Sequence, residues 1–150
     1  MFNRENNFVS LIDTLGSRLN ISIILSQQNT CCLIFDRDPV NFEIRNNVLY
    51  IYAPIFSAEN CDSKVLYGML QENHLGDVFT SISPSTKDLC LNMVVTYECE
   101  YELFEKNLSF FVSKLRELKE RVKGNSFDDN EEKNSSTHSV KDMIVTALPV

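Results

Sequence analysis

Apolar residues recur along this chain in two periods, and the switches between them mark its elements. Phe8, Leu11, Ile12, Leu15 and Leu19 keep helical spacing, with Ser10, Asp13, Ser17 and Arg18 opposite, which predicts a helix from about Glu5 to Leu19. Gly16 lies inside it at a cost of about 1 kcal/mol relative to alanine, so a close approach by another segment is expected there. Ile21 to Gln27 is short and β-branched and predicts a strand, with a turn at Gln28-Asn29. Cys31 to Phe35 predicts a second strand, apolar on both faces, closed by the turn residues Asp36-Arg37-Asp38-Pro39. Phe42, Glu43 and Ile44 alternate, Asn46-Asn47 turns the chain, and Val48 to Ile55 is a long β-rich run with Pro54 near a sheet edge. Residues 21 to 55 therefore form an antiparallel meander.

Further on, Ser57 to Asp62 carries a helix start signal. Val65, Leu66, Met69, Leu70 and Asn73 share one face of a second helix that Gly76 stops. Val78 to Ser83 is a short strand, Pro84-Ser85 a turn, and Leu89 to Tyr97 a long alternating strand. From Leu103 a strong helix begins, with Phe104, Leu108, Phe111, Leu115, Leu118 and Val122 at alternating spacings of four and three. After Lys123 the composition changes to Gly, Asn, Ser and a run of acids. Residues 1–123 are expected to be the folded domain, and residues 124–150 an acidic, disordered tail. The apolar end, Met143 to Val150, is read as frayed in preference to a strand added to a sheet edge. The order α-β-β-β-α-β-β-α predicts an α+β domain, with helices packed on a twisted, largely antiparallel sheet.

Composition narrows the chemistry. A length of 150 suits one domain, and the net charge of −7 is shared between the two parts, −4 and −3. That sign argues against nucleic acid, whose phosphates need clustered cations, and against anionic lipid surfaces. The polar start Met1 to Asn7 shows no signal peptide, and the longest apolar run, Val48 to Phe56, is far short of the roughly 20 residues of a membrane helix. Both point to a soluble, intracellular protein. Five cysteines, an odd number with two adjacent, read as free thiols in a reducing compartment. Cys31 and Cys32 point to opposite faces of a strand and only His74 and His138 could join them, so no metal site is expected. Asp36 and Asp38 read as turn formers. Glycines at 16, 68, 76 and 124 build neither a P-loop nor a dinucleotide fingerprint, so no cofactor is expected. Cys61 and His74 stand about 20 Å apart along the second helix, too far for a Cys–His pair. No catalytic residue emerges, and the chain is not expected to be an enzyme.

Ile23-Ile24-Leu25 and Cys31 to Phe35 are apolar on both strand faces, whereas an antiparallel sheet with one wet face alternates. The second face is covered by the second helix, packs on a partner subunit, or receives an extended client.

Taken together, the segments resemble the class I type III secretion chaperones, the group that includes the Tir chaperone. Residues Phe8 to Leu19 are similar to that family's leading helix with its L-x-x-L-G-x-x-L pattern. Cys32-Leu33-Ile34-Phe35-Asp36 resembles its second strand, and Phe42-Glu43-Ile44 with Val48 to Ile55 its third-strand segment. Leu66 to Asn73 resembles the L-L-x-x-N end of its middle helix. The longer tail and the cysteine richness depart from the pattern. The resemblance implies a chaperone of the bacterial cytoplasm, a homodimer without a nucleotide site. It would bind an extended segment near the N-terminus of a secreted effector, with the secretion ATPase complex as a further partner. Carried onto this sequence, Val65, Leu66, Met69, Leu70, Leu91, Met93 and Val95 would form the dimer interface. Phe8, Leu11, Ile24, Ile34, Leu49 and Ile51 would meet the client. A one-residue shift in strand register would exchange one face for the other. The alternative is a non-catalytic α+β adaptor module that binds a folded partner.

Overall fold

The computed structural model of the chain describes residues 4–73, 76–124 and 138–149. Among the described residues three helices, α1 (Arg4–Leu19), α2 (Ser63–Glu72) and α3 (Tyr101–Gly124), accompany six strands. The strands are β1 (Thr30–Phe35), β2 (Asp38–Arg45), β3 (Val48–Ser57), β4 (Val78–Ile82), β5 (Asp88–Val95) and β6 (Val145–Ala147). All pairings are antiparallel, in the order β4-β5-β3-β2-β1-β6. The α+β class and the order α-β-β-β-α-β-β-α are those expected, with the last strand added. Among the described residues no helix is long and apolar enough to cross a membrane.

Strand alternation builds the core. Leu33, Phe35, Val40, Phe42, Ile44, Leu49, Ile51, Leu91 and Met93 point to one side and are buried. They meet Phe8, Ile12 and Leu15 of α1 and Phe104, Leu108, Phe111 and Leu115 of α3 in one apolar cluster. Two tight hairpins hold the register. Asn46 and Asn47 both take positive φ, as a type I′ turn requires, and Asp36 does so between β1 and β2.

The strand expected over Ile21 to Gln27 does not form: residues 21–26 take no regular secondary structure and pair with no strand. The segment is tied at its ends, where the Ile21 N–H donates to the Gly16 carbonyl (3.0 Å) and the Ser26 N–H to the Thr30 carbonyl (2.9 Å). Ile21, Ile23 and Leu25 lean on the core cluster while Ile24 faces out. Its two-residue period is thus satisfied by packing alone, without a ladder. Gly16 makes this possible, because a Cβ there would stand 3.0 Å from the Ile21 carbonyl oxygen and 3.4 Å from the Ile23 side chain.

α2 begins at Asp62, whose carboxylate accepts from the Lys64 N–H at 3.2 Å. It ends at Asn73, whose amide brackets Thr80 of β4. Asn73 Oδ1 accepts from the Thr80 N–H (2.6 Å) and hydroxyl (3.0 Å), and its Nδ2 donates to the Thr80 carbonyl (3.1 Å). Glu72 pairs with Lys114 (3.2 Å) and with Arg121, tying α2 to α3. All three helices therefore stand on the same side of the sheet. The idea that α2 covers the second face is set aside by this arrangement.

The chain's end departs from the expectation of a disordered tail. Residues 125–137 of that stretch lie outside the described residues. Val140 is buried, and β6 pairs with β1 as Phe35–Val145, Ile34–Thr146 and Leu33–Ala147. The frayed-end reading gives way to strand addition within the chain. The edge of β1 otherwise carries unpaired N–H and C=O groups, and β6 satisfies them.

Candidate docking surface

The outer face of the sheet follows from the same registers. Cys32, Asn41, Tyr52, Asn92 and Phe79 form one row across five strands, and Thr30, Glu43, Tyr50 and Val94 form the next. Most of these residues are half-buried, with Phe79 and Val94 exposed. No described helix lies over them. Phe56 and Ile82 are also exposed, but both stand opposite the buried Leu89, in register with the core-facing row at the end of the sheet.

Polar residues hold this face in shape. Asn92 Nδ2 lies within donor range of Ser81 Oγ (2.9 Å) and of the Phe79 and Cys90 carbonyls (both 3.2 Å). The Arg45 guanidinium sits 5.0 Å from the centre of the Tyr50 ring and 3.9 Å from the Glu43 carboxylate. The resulting trough, about 760 Å³, is lined by Tyr50, Tyr52, Phe79, Asn41 and Asn92 among others. Burial raises the Tyr52 hydroxyl above its ordinary pKa, helped by Glu43, so the phenol stays a neutral donor and acceptor.

Burial disfavours the thiolate form of the cysteines. Burial pushes Cys31 up to about 12, and it raises Cys32, Cys61, Cys90 and Cys99 above the ordinary thiol value. His74 lies outside the described residues, and His138 is exposed. The turn carboxylates are engaged structurally. Asp36 meets Arg116 (2.6 Å), and Asp38 meets Arg116 (3.2 Å) and Lys119 (2.7 Å). Among the described residues no group of three or more metal-ligating side chains occurs.

The sequence profile of the Tir chaperone protein (CesT) family matches residues 10–119. The chain belongs to the Tir chaperone family. The match runs from α1 to near the end of α3 and includes β1 to β5, so of the sheet only β6 lies outside it. No curated protein sequence matches the chain. Three solved structures share the Tir chaperone fold seen here. The ExsC–ExsE complex aligns with a TM-score of 0.68 at 16% identity, over 79% of this chain and 93% of that one. The HopA1–SchA chaperone–effector complex gives 0.67 at 11%, over 80% and 99%. The Yersinia pestis type III secretion chaperone SycH, bound to a fragment of YscM2, gives 0.59 at 15%, over 73% and 97%.

Against this Tir chaperone framework the expected site residues divide. Of the six residues expected to meet a client, Ile24 is 66% exposed and Ile34 half-buried on the outer face. Phe8, Leu11, Leu49 and Ile51 instead lie in the core. The register on β3 is one residue off from the expectation, which turns Tyr50 and Tyr52 outward in place of Leu49 and Ile51. Of the expected dimer residues, Leu70 is 61% exposed and Leu66 half-buried, whereas Val65, Met69, Leu91, Met93 and Val95 are core residues. Tyr67, Phe79 and Ile82, exposed beside them, were missed. The signal for Phe79 was present, since it alternates with the buried Val78 and Thr80, whereas Ile82 shares the parity of that buried pair.

Proposed function

We propose that the protein is a type III secretion chaperone that holds an extended N-terminal segment of a secreted effector on the outer face of its sheet. The observation that carries this reading is the helix-free row Cys32, Asn41, Tyr52, Asn92 and Phe79 in a member of a chaperone family. Two of the structural neighbours described above are chaperones in complex with an effector or a partner fragment. An extended segment presents side chains every second residue, and these reach the spaces between Tyr50, Tyr52 and Phe79. The interspersed Asn41, Glu43 and Asn92 accept the client's backbone polar groups. Ile24, exposed on the unpaired segment, offers a separate apolar contact beside α1. An unfolded client stays narrow enough for export, and the charge of −7 keeps the complex soluble. The raised thiols favour a binding role over a catalytic one, in the bacterial cytoplasm.

The homodimer would use the free side of α2, Tyr67 and Leu70 with half-buried Leu66, together with Ile82 of the β4 edge. Co-expression with the secreted protein encoded nearest its gene tests both parts. A 1:2 effector–chaperone complex on light scattering is expected, and the double variant Tyr67→Glu, Leu70→Glu becomes monomeric. A wild-type monomer that raises the soluble yield of no secreted protein overturns the proposal. Binding to a folded surface in place of an extended segment favours the adaptor reading.

A further inference from the structure

At the β1 edge the chain's own end sits where another strand could. β6 pairs through three residues. Two further backbone bonds extend the ladder, from the Asp36 N–H to the Ile144 carbonyl (2.6 Å) and from the Leu148 N–H to the Cys32 carbonyl (3.0 Å). The segment is anchored most deeply at Val140, whose N–H donates to Ser109 Oγ of α3 at 3.1 Å. The Asp36 carboxylate adds a bond from the Ile144 N–H at 2.8 Å.

Beyond that anchor the fit is shallow. Ile144 is 76% exposed and Leu148 45% exposed, and only Val145 of the strand is buried. Thr146 places a small polar side chain beside Ile34, one of the outer-face residues. The segment therefore packs Val140, Val145, Met143 and Ala147 on the core cluster, while Ile144, Thr146 and Leu148 leave the outer side of the edge without apolar cover. An extended chain in the same register with a large apolar residue at the Thr146 position would make the same ladder and bury Ile34 as well.

We propose that residues 139–149 are an exchangeable occupant of the β1 edge, holding the place of an extended client strand and yielding it when one binds. This rests on the chaperone reading above. The 14 residues between Gly124 and Ser139 keep a displaced end tethered, at an effective concentration on the order of millimolar. The end therefore recloses when the client leaves, and it shields an edge that would otherwise invite aggregation. A client strand pays for opening through the closed fraction, which filters out weak strands.

The test uses a fluorescent peptide with the sequence of residues 139–149, added to the full-length chain. The double variant Val140→Asp, Thr146→Pro, which removes the buried anchor and constrains the strand, is expected to bind this probe at least about tenfold more tightly than wild type. Equal binding by both chains overturns the proposal. Hydrogen exchange on the unmodified chain decides the matter even if the variant unfolds. With excess unlabelled probe, the amides of 144–148 are expected to lose protection while those of 33–35 keep it. Protection of 144–148 that persists under excess probe overturns the exchange. The same measurement with a co-purified effector separates the two ideas. Retained protection of 144–148 in that complex overturns the exchange and leaves the chaperone reading standing. A chain that binds no effector, yet exchanges its end for the probe, fails the chaperone reading alone.

Discussion

On β3, neighbouring residues serve opposite surroundings. Leu49, Ile51 and Ala53 are fully buried against α1 and α3, while Tyr50, Tyr52 and Pro54 stand half-buried on the outer face. The inner face is aliphatic and aromatic hydrocarbon packed in one cluster, where each missing methylene leaves a void. The outer face mixes tyrosine, asparagine, proline and a glutamate. Such side chains tolerate water and still offer area, because each ring carries a polar handle. Shape is specified on one side and left adaptable on the other.

Paired substitutions at adjacent positions sharpen this contrast most. Ile51→Ala should cost about 3 kcal/mol through lost burial and a cavity, read as a lower midpoint in urea. Tyr52→Asp should change stability by less than about 1 kcal/mol and abolish effector retention. Similar losses of stability at both positions would erase the distinction between the faces. Next in size is the rim where α3 meets the β1–β2 turn. Arg116→Ala removes the charged donor shared by Asp36 and Asp38 and should cost about 1.5–3 kcal/mol. An unchanged urea midpoint would show that Lys119 suffices for Asp38.

A pH series probes the same rim. The Ile144 N–H bond, followed by the Arg116 contact, holds the Asp36 carboxyl below its ordinary pKa. A carboxyl lowered in the folded state stabilises it above the ordinary range near 4 and loses that contribution as pH falls through and below it. Protection of the Ile144 amide should therefore fall as the pH drops below the ordinary carboxylate range, and Asp36→Asn should flatten that dependence. A dependence that survives in Asp36→Asn assigns it to another group. The smallest effect is expected at Gly16→Ala. There the helix gains about 1 kcal/mol in propensity against a contact of 3.0 Å with the Ile21 carbonyl. Near cancellation is expected on thermal melting. A full gain would show that the 21–26 segment swings away freely.

Helices and hairpins were legible in the sequence because their signals are local. The α1 face, the Asn46-Asn47 turn and the four-three spacing of α3 each need only a dozen residues to be read. Gly16 announced a close approach correctly. Residues 21–26 misled because period two records alternate burial, and packing on a helix satisfies that as well as a ladder does. The parity of β3 depended on which of two apolar sets met α1 and α3, a choice made by tertiary packing. β6 was obscured by the acidic run before it, which lowered the apparent order of everything that followed.

The strand order carries a consequence in time. Val145 is made 110 residues after Phe35, its partner across the ladder. At roughly 5–20 residues per second, the β1 edge waits on the order of 5–20 s for its covering strand. The rest of the meander needs only short-range closure, so the sheet is complete through β5 while that edge is still bare. A newborn molecule thus passes through an open-edged stage that every mature copy has left behind.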